Sequence, residues 1–169
     1  MAVLSDGTIH DLLDSGSLSI DPINRESQIQ PCSIDLTLAG HTIPLNNDLF
    51  AKTDQQEVTF QPFEAYLGST REYIDLPENV CGMLKGRSSI GRMGVQIHTA
   101  GWIDAGFHGE LTLEVVNFND EPMTFEEGTR FCQLVLIPLD STPIESYRNK
   151  ADAKYNGQRG ATESRFESK

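Results

Sequence analysis

The sequence predicts an all-β protein, a barrel or sandwich of distorted jelly-roll type. Three observations carry this. Short apolar runs rich in branched and aromatic residues recur along the chain. Gly, Pro and Asn interrupt them at short intervals. Only one stretch, near the N-terminus, has apolar residues at helical spacing. Many short strands divided by turn signals favour sheet packed on sheet.

Taken in order, Ser5 is a helix N-cap, Ile9, Leu12 and Leu13 line one helical face, and Gly16 ends it. Leu18–Ile20 starts a strand that Asp21-Pro22 turns. Ser33 to Leu38 alternates polar and apolar, the period of a half-buried strand, with Ser33 and Asp35 opposite Ile34, Leu36 and Leu38. Asn46-Asn47, Pro62, Gly68 and Pro77 then separate Val58–Phe60, Ala65–Leu67 and Tyr73–Leu76. Val80–Leu84, Leu111–Val116 and Phe131–Leu136 are three further strands. No internal repeat or low-complexity segment is visible.

A chain of 169 residues is one domain with room for a core. Two parts are expected: a β domain over 1–140 and a polar arm over 141–169. Arg148, Lys150, Lys154, Arg159 and Arg165 bunch in the arm. That fits a frayed tail or an arm that folds over an anionic ligand.

The net charge of −12 argues against a duplex nucleic-acid binder. It fits ordinary solubility or a high-salt habitat. Lacking a membrane-length apolar run and a signal-peptide pattern, the chain is expected in the cytoplasm. Cys32, Cys81 and Cys132 are scattered and form no C-x-x-C pair. Neither a disulfide framework nor a zinc site is therefore expected.

Chemistry-bearing residues concentrate between Lys85 and Asp120. Gly86-Arg87-Ser88-Ser89-Ile90-Gly91-Arg92 is not a Walker A loop, but it offers hydroxyls, guanidinium forks and glycines to a phosphate. In Thr99 to Phe107, Gly101 and Gly106 allow a close backbone approach to a ligand. Trp102 and Phe107 can flank a base or sugar, and Asp104 can accept from a sugar hydroxyl. Glu114 shares a strand face with Glu110, Thr112 and Val116, opposite Leu111, Leu113 and Val115. It is either solvated or, if a neighbouring subunit covers that face, a desolvated acid fit for proton transfer. The signatures of zinc deaminases and of nucleophile-elbow hydrolases are both missing.

These motifs, in this order, resemble the dCTP deaminases of the trimeric dUTPase superfamily. Leu4-Ser5-Asp6, Ile29-Gln30-Pro31 with Ser33-Ile34-Asp35-Leu36, and Leu67-Gly68-Ser69-Thr70 with Leu76-Pro77 carry the resemblance first. Gly86–Arg92, Ala100–Gly109, Leu113-Glu114, Lys154-Tyr155 and Gln158-Arg159-Gly160 complete it. The resemblance implies a distorted jelly roll forming homotrimers with active sites at subunit interfaces. It implies that Arg87, Ser88 and Ser89 contact a triphosphate. Ser88, Arg92 and the Ala100 carbonyl would orient water, and Glu114 would shuttle protons. Asp104 would bind the 3′-hydroxyl beside Gly101 and Trp102, and Tyr147, Lys154 and Gln158 would close from the arm. Magnesium would ride on the phosphates, with Asp35 reaching it at most through water, and no zinc would take part. Inhibition by dTTP is a trait of related enzymes.

An acid at Glu114, and Phe107 where dUTPases have Tyr, favour deaminase over dUTPase. The Gly101-Trp102 turn resembles the bifunctional kind that yields dUMP, which feeds thymidylate synthesis. A deaminase releasing dUTP, a dUTPase, and a nucleotide sensor without turnover are the alternatives. Three departures stand out: a short Leu45–Phe63 stretch, Cys32 in place of Ala, and Ala105 in place of Pro.

Overall fold

A computed structural model describes residues 2–45, 56–98 and 100–166. The expected turn at Asn46-Asn47 and the residue Thr99 lie outside them. Helix α1 spans Asp6–Asp14, with Ser5 before it and Ile9 buried. Strand β1 (Ser19–Asp21), helix α2 (Arg25–Gln28) and strand β2 (Ile29–Gln30) follow. Next come β3 (Ser33–Thr37), β4 (Ile43–Pro44), β5 (Glu57–Phe60), β6 (Ala65–Asp75) and β7 (Val80–Gly86). The short helix α3 (Ser88–Gly91) leads to β8 (Val95–Ile97) and β9 (Trp102–Ile103). Strands β10 (His108–Asn117), β11 (Met123–Glu126) and β12 (Arg130–Pro138) complete the set.

The strands form two main sheets. One runs β1-β6-β10-β8 with β4 also on β6, the other β2-β3-β12-β7-β9, and β11 and β5 make a separate pair. All pairings are antiparallel. The two sheets bury one core that holds Ile34, Leu36, Ile74, Leu113, Phe131 and Leu134. Alternating residues from both inner faces fill it, as expected for sheet-on-sheet packing. The all-β expectation is borne out.

Two expectations for single elements fail. Ala65–Leu67 and Tyr73–Leu76 are not separate strands: β6 is continuous for 11 residues. Gly68 does not break it, because it stays in register opposite Leu113 of β10. Where the β6–β10 register shifts, between Glu110 and Thr112, the Thr70 hydroxyl accepts from the Leu111 N–H at 3.0 Å. A side chain thus replaces the ladder partner at the bulge. Strand β3 is also not half-buried, since all five residues are buried. Its polar face is covered by Arg87, Arg130 and Gln133 rather than by water.

Residues 140–166 do not fray. Tyr147 N–H donates to Ala105 O at 2.9 Å, and Arg148 pairs with Asp75. Further on, Gly157 N–H donates to His108 O at 2.8 Å, and Gln158 forms a parallel bridge with Gly109. The segment therefore lies against the start of β10. No helix among the described residues is long and apolar enough to cross a membrane.

Candidate active site

Strand β10 builds the floor of the site. Along it burial alternates residue by residue: Leu111, Leu113 and Val115 point into the core, while Thr112 and Glu114 point to the other face. That face is roofed by the turn before β9 and by the arm, which enclose a cavity of about 570 Å³. Glu114 reaches into it half-buried, and burial raises its pKa above the usual carboxylate range. Its own backbone N–H and the nearby His98 oppose the rise.

The β9 turn forms a second wall. Ala100, Gly101, Trp102 and Asp104 all line the cavity. Trp102 is 57% exposed and stands at the rim, whereas Phe107 is buried, its ring 6.1 Å from that of Tyr147. Gly101 also has a packing role that the sequence did not show. A Cβ there would meet the Leu84 carbonyl oxygen at 2.6 Å, and Gly101 O accepts from Leu84 N–H at 2.7 Å. The close approach is to strand β7, and it holds the turn against the sheet. Gly106 similarly faces Ser146 rather than the cavity.

The arm closes the third side. Tyr147 and Gln158 line the cavity, and so do Tyr155, Thr162 and Ser164. Gln158 donates from Nε2 to Glu110 O at 2.7 Å, while its Oε1 is buried without a partner. Lys154 is exposed and does not line the cavity.

The expected phosphate loop stands apart. Ser88, Ser89 and Arg92 are exposed, and none of them, nor Arg87, lines the cavity. Arg87 instead pairs with Asp35 at 3.2 Å. Asp35 is 1% exposed, and the same oxygen lies 3.4 Å from Arg130. Gln133 Nε2 donates to its other oxygen at 3.3 Å. Asp35 is therefore not a solvated strand residue but the buried counter-charge of two guanidiniums. Among the described residues no cluster of three or more His, Cys, Asp or Glu side chains is placed to hold a metal.

Residues 3–139 match the dCTP deaminase-like family. A protein of Persephonella marina named dCTP deaminase, dUMP-forming, is 39% identical over 97% of both chains. One of Hydrogenobaculum with the same name is 42% identical over 97% of this chain and 96% of its own. The chain belongs to the dCTP deaminase-like family. The crystal structure of 2′-deoxycytidine 5′-triphosphate deaminase from Agrobacterium tumefaciens superposes with a TM-score of 0.67 at 22% identity. It covers 79% of this chain and 47% of that one. At this identity the likeness speaks for the fold.

Two of the departures of this chain fall on described residues outside the cavity lining, while residues 46–55 of the third lie outside the described residues and Leu45 itself lines the cavity. Ala105 is buried beside Cys81 and Ile137, and Cys32 is exposed at the surface. Sequence reading missed Thr162 and Ser164, which have no pattern and gain meaning only where the arm docks, and it saw Tyr155 in the Lys154-Tyr155 motif without its place in the cavity. It also missed Arg130 and Gln133, whose partner Asp35 lies about a hundred residues away in sequence. Glu72 was missed as well: 1% exposed, its carboxylate accepts from Thr37 N–H, Thr37 Oγ1 and Gln28 Nε2. An acid within an alternating strand carries no sign of such a cage.

Proposed function

We propose that this chain deaminates dCTP and hydrolyses the triphosphate in the same site, so that dCTP and two waters give dUMP, pyrophosphate and ammonia. The observation that carries the reading is Glu114, a half-buried acid of raised pKa inside a nucleoside-sized cavity that also holds Asp104. The relatives' shared name, dUMP-forming, supports the second step.

Water, oriented by Ser88, Arg92 and the Ala100 carbonyl, attacks C4 of the cytosine. Glu114 takes the water's proton and delivers it to N3, then moves the proton of the new C4 hydroxyl to the amino nitrogen, so that the C4–N bond breaks, ammonia leaves and C4 becomes a carbonyl. Raising the pKa of a carboxylate makes it a better base for the water's proton, and the same group can then return that proton to N3. Asp104 receives the deoxyribose 3′-hydroxyl beside Gly101 and Trp102. Arg87, Ser88, Ser89, Tyr147, Lys154 and Gln158 hold the triphosphate. A second water, aided by Asp104, then attacks the α-phosphorus and releases pyrophosphate. Magnesium enters with the triphosphate as part of the substrate. Among the described residues the carboxylate paired with Arg87 is Asp35, already shared by two guanidiniums.

The working unit in this reading is a cytoplasmic homotrimer. Its support is the gap between the cavity and the exposed Ser88–Arg92 segment, which a second subunit would bridge. Exposed Met93 and Phe118 lie beside that segment, with Phe118 N–H donating to Gly94 O at 2.9 Å. Such an apolar patch fits a subunit contact. The test is dCTP with magnesium and separation of the products. We expect dUMP, pyrophosphate and ammonia in equal amounts. Accumulating dUTP would leave a deaminase alone, and hydrolysis of dUTP without attack on dCTP would leave a dUTPase.

A further inference from the structure

Resting on that functional reading, we infer that Glu110 and Tyr73 form a seat for Arg159 that latches the C-terminal arm shut. Gln158 is thereby presented to the cavity. Glu110 on β10 and Tyr73 on β6 are directly opposite in register. Cross-strand neighbours on one face lie close enough to share a third group. Here that group is the Arg159 guanidinium, 2.9 Å from Glu110 Oε1 and 4.0 Å from the centre of the Tyr73 ring. The second Glu110 oxygen accepts from Gly160 N–H at 2.5 Å.

The backbone makes the same contact continuous. Glu110 N–H donates to Gln158 O at 3.0 Å, and Gly157 N–H donates to His108 O at 2.8 Å. Gly109 is what admits the arm, since a Cβ there would stand 3.2 Å from both N and O of Gln158. In an extended segment, successive side chains point to opposite sides. Gln158 therefore turns inward and lines the cavity, while Arg159 turns outward and does not line it.

An exposed ion pair alone stabilises little. The Glu110 carboxylate, however, takes a guanidinium and a backbone amide at once, and the ring adds a cation–π contact. Glu110 and Arg159 are then positioning residues, acting through Gln158. Arg159 belongs to the latch and not to the phosphate-binding set. Docking adds equally to ground-state and transition-state binding, so its loss appears in KM and not in kcat.

The experiment uses the full chain as Glu110→Ala, Arg159→Ala, the double variant and the charge-swapped Glu110→Arg/Arg159→Glu. Amide exchange over 157–162 is measured without nucleotide, then steady-state kinetics with dCTP. Either single change should speed exchange about tenfold and raise KM by a similar factor at unchanged kcat, because both lose charge-assisted contacts. The double variant should lose less than the sum of the singles, and the swap should recover only the share that the ion pair carries, because Arg at 110 cannot accept from Gly160 N–H and Glu at 159 cannot sit over the Tyr73 ring. Unchanged exchange in both single variants overturns the latch. So does a KM raised by Arg159→Ala and untouched by Glu110→Ala, which would put the guanidinium on the phosphates. Should Glu110→Ala fail to fold, exchange in Arg159→Ala, changed at an exposed side chain, decides. If the parent protein leaves dCTP intact, the functional reading falls while exchange still judges the latch.

Discussion

Glu114 concentrates the chemistry at the scale of a residue. Burial lifts its pKa above the usual carboxylate range. The carboxylate must be ionised to take water's proton. The acid limb of kcat should therefore lie above the usual carboxylate range, as a pH–rate profile will show. Glu114→Gln should lower kcat roughly a hundred- to ten-thousandfold while nucleotide binding persists. The same shift has a stability consequence of opposite sign. A raised folded pKa contributes stability that is present below the unfolded pKa and lost as pH rises through the folded one. Glu114→Gln should thus melt higher than the parent at neutral pH and together with it in acid. The gain should be below about 1 kcal/mol, because water still screens a half-buried group. A variant that melts lower at neutral pH would show that the carboxylate is not desolvated.

At the scale of elements, the site depends on the β9 turn being held against β7. Gly101 permits this, with no room for a Cβ between it and the Leu84 carbonyl. Gly101→Ala should cost about 1–3 kcal/mol through overpacking against a backbone that cannot swing aside. Melting should fall by several degrees and the Ala100–Asp104 wall should shift. Gly91→Ala is the control, because nothing lies within 4 Å of its Cβ position. Equal melting of the two variants would refute the packing role. The element scale is also where pattern reading falters. The alternation of β10 was legible in full, since one of its faces meets the core and the other does not. That of β3 misled, because alternation reports which residues are apolar and not what covers the polar ones. Asp35 became a buried ion-pair partner through Arg87, just after β7, and Arg130 at the start of β12, both remote from it in sequence.

At the scale of the whole molecule, one chain presents half of the expected machinery to its cavity. Glu114, Asp104, Ala100 and Gln158 share it, and Ser88, Ser89 and Arg92 do not. If a neighbour supplies the second half, two inactive variants should repair each other. Glu114→Gln and Arg92→Ala, each inactive alone, should regain activity after subunit exchange. Every mixed cyclic trimer would keep one intact interface, so an equal mixture should reach about a quarter of the parent activity. No recovery, with mixed trimers present by mass, would place both residues in one subunit's site.

The sequence alone determined the family and the all-β class, and it singled out Glu114 as the candidate acid. Those depend on which side chains occur and on their local period. Tertiary structure decided what surrounds each one. It added to Gly101 a packing contact with β7, took Asp35 from solvent to a buried pair, and, of the two readings of the basic arm, set a strap along β10 in place of a frayed tail. The physical reason is the same in each case. Desolvation and close contact are set by groups brought together across the chain, and a local pattern does not name its distant partners.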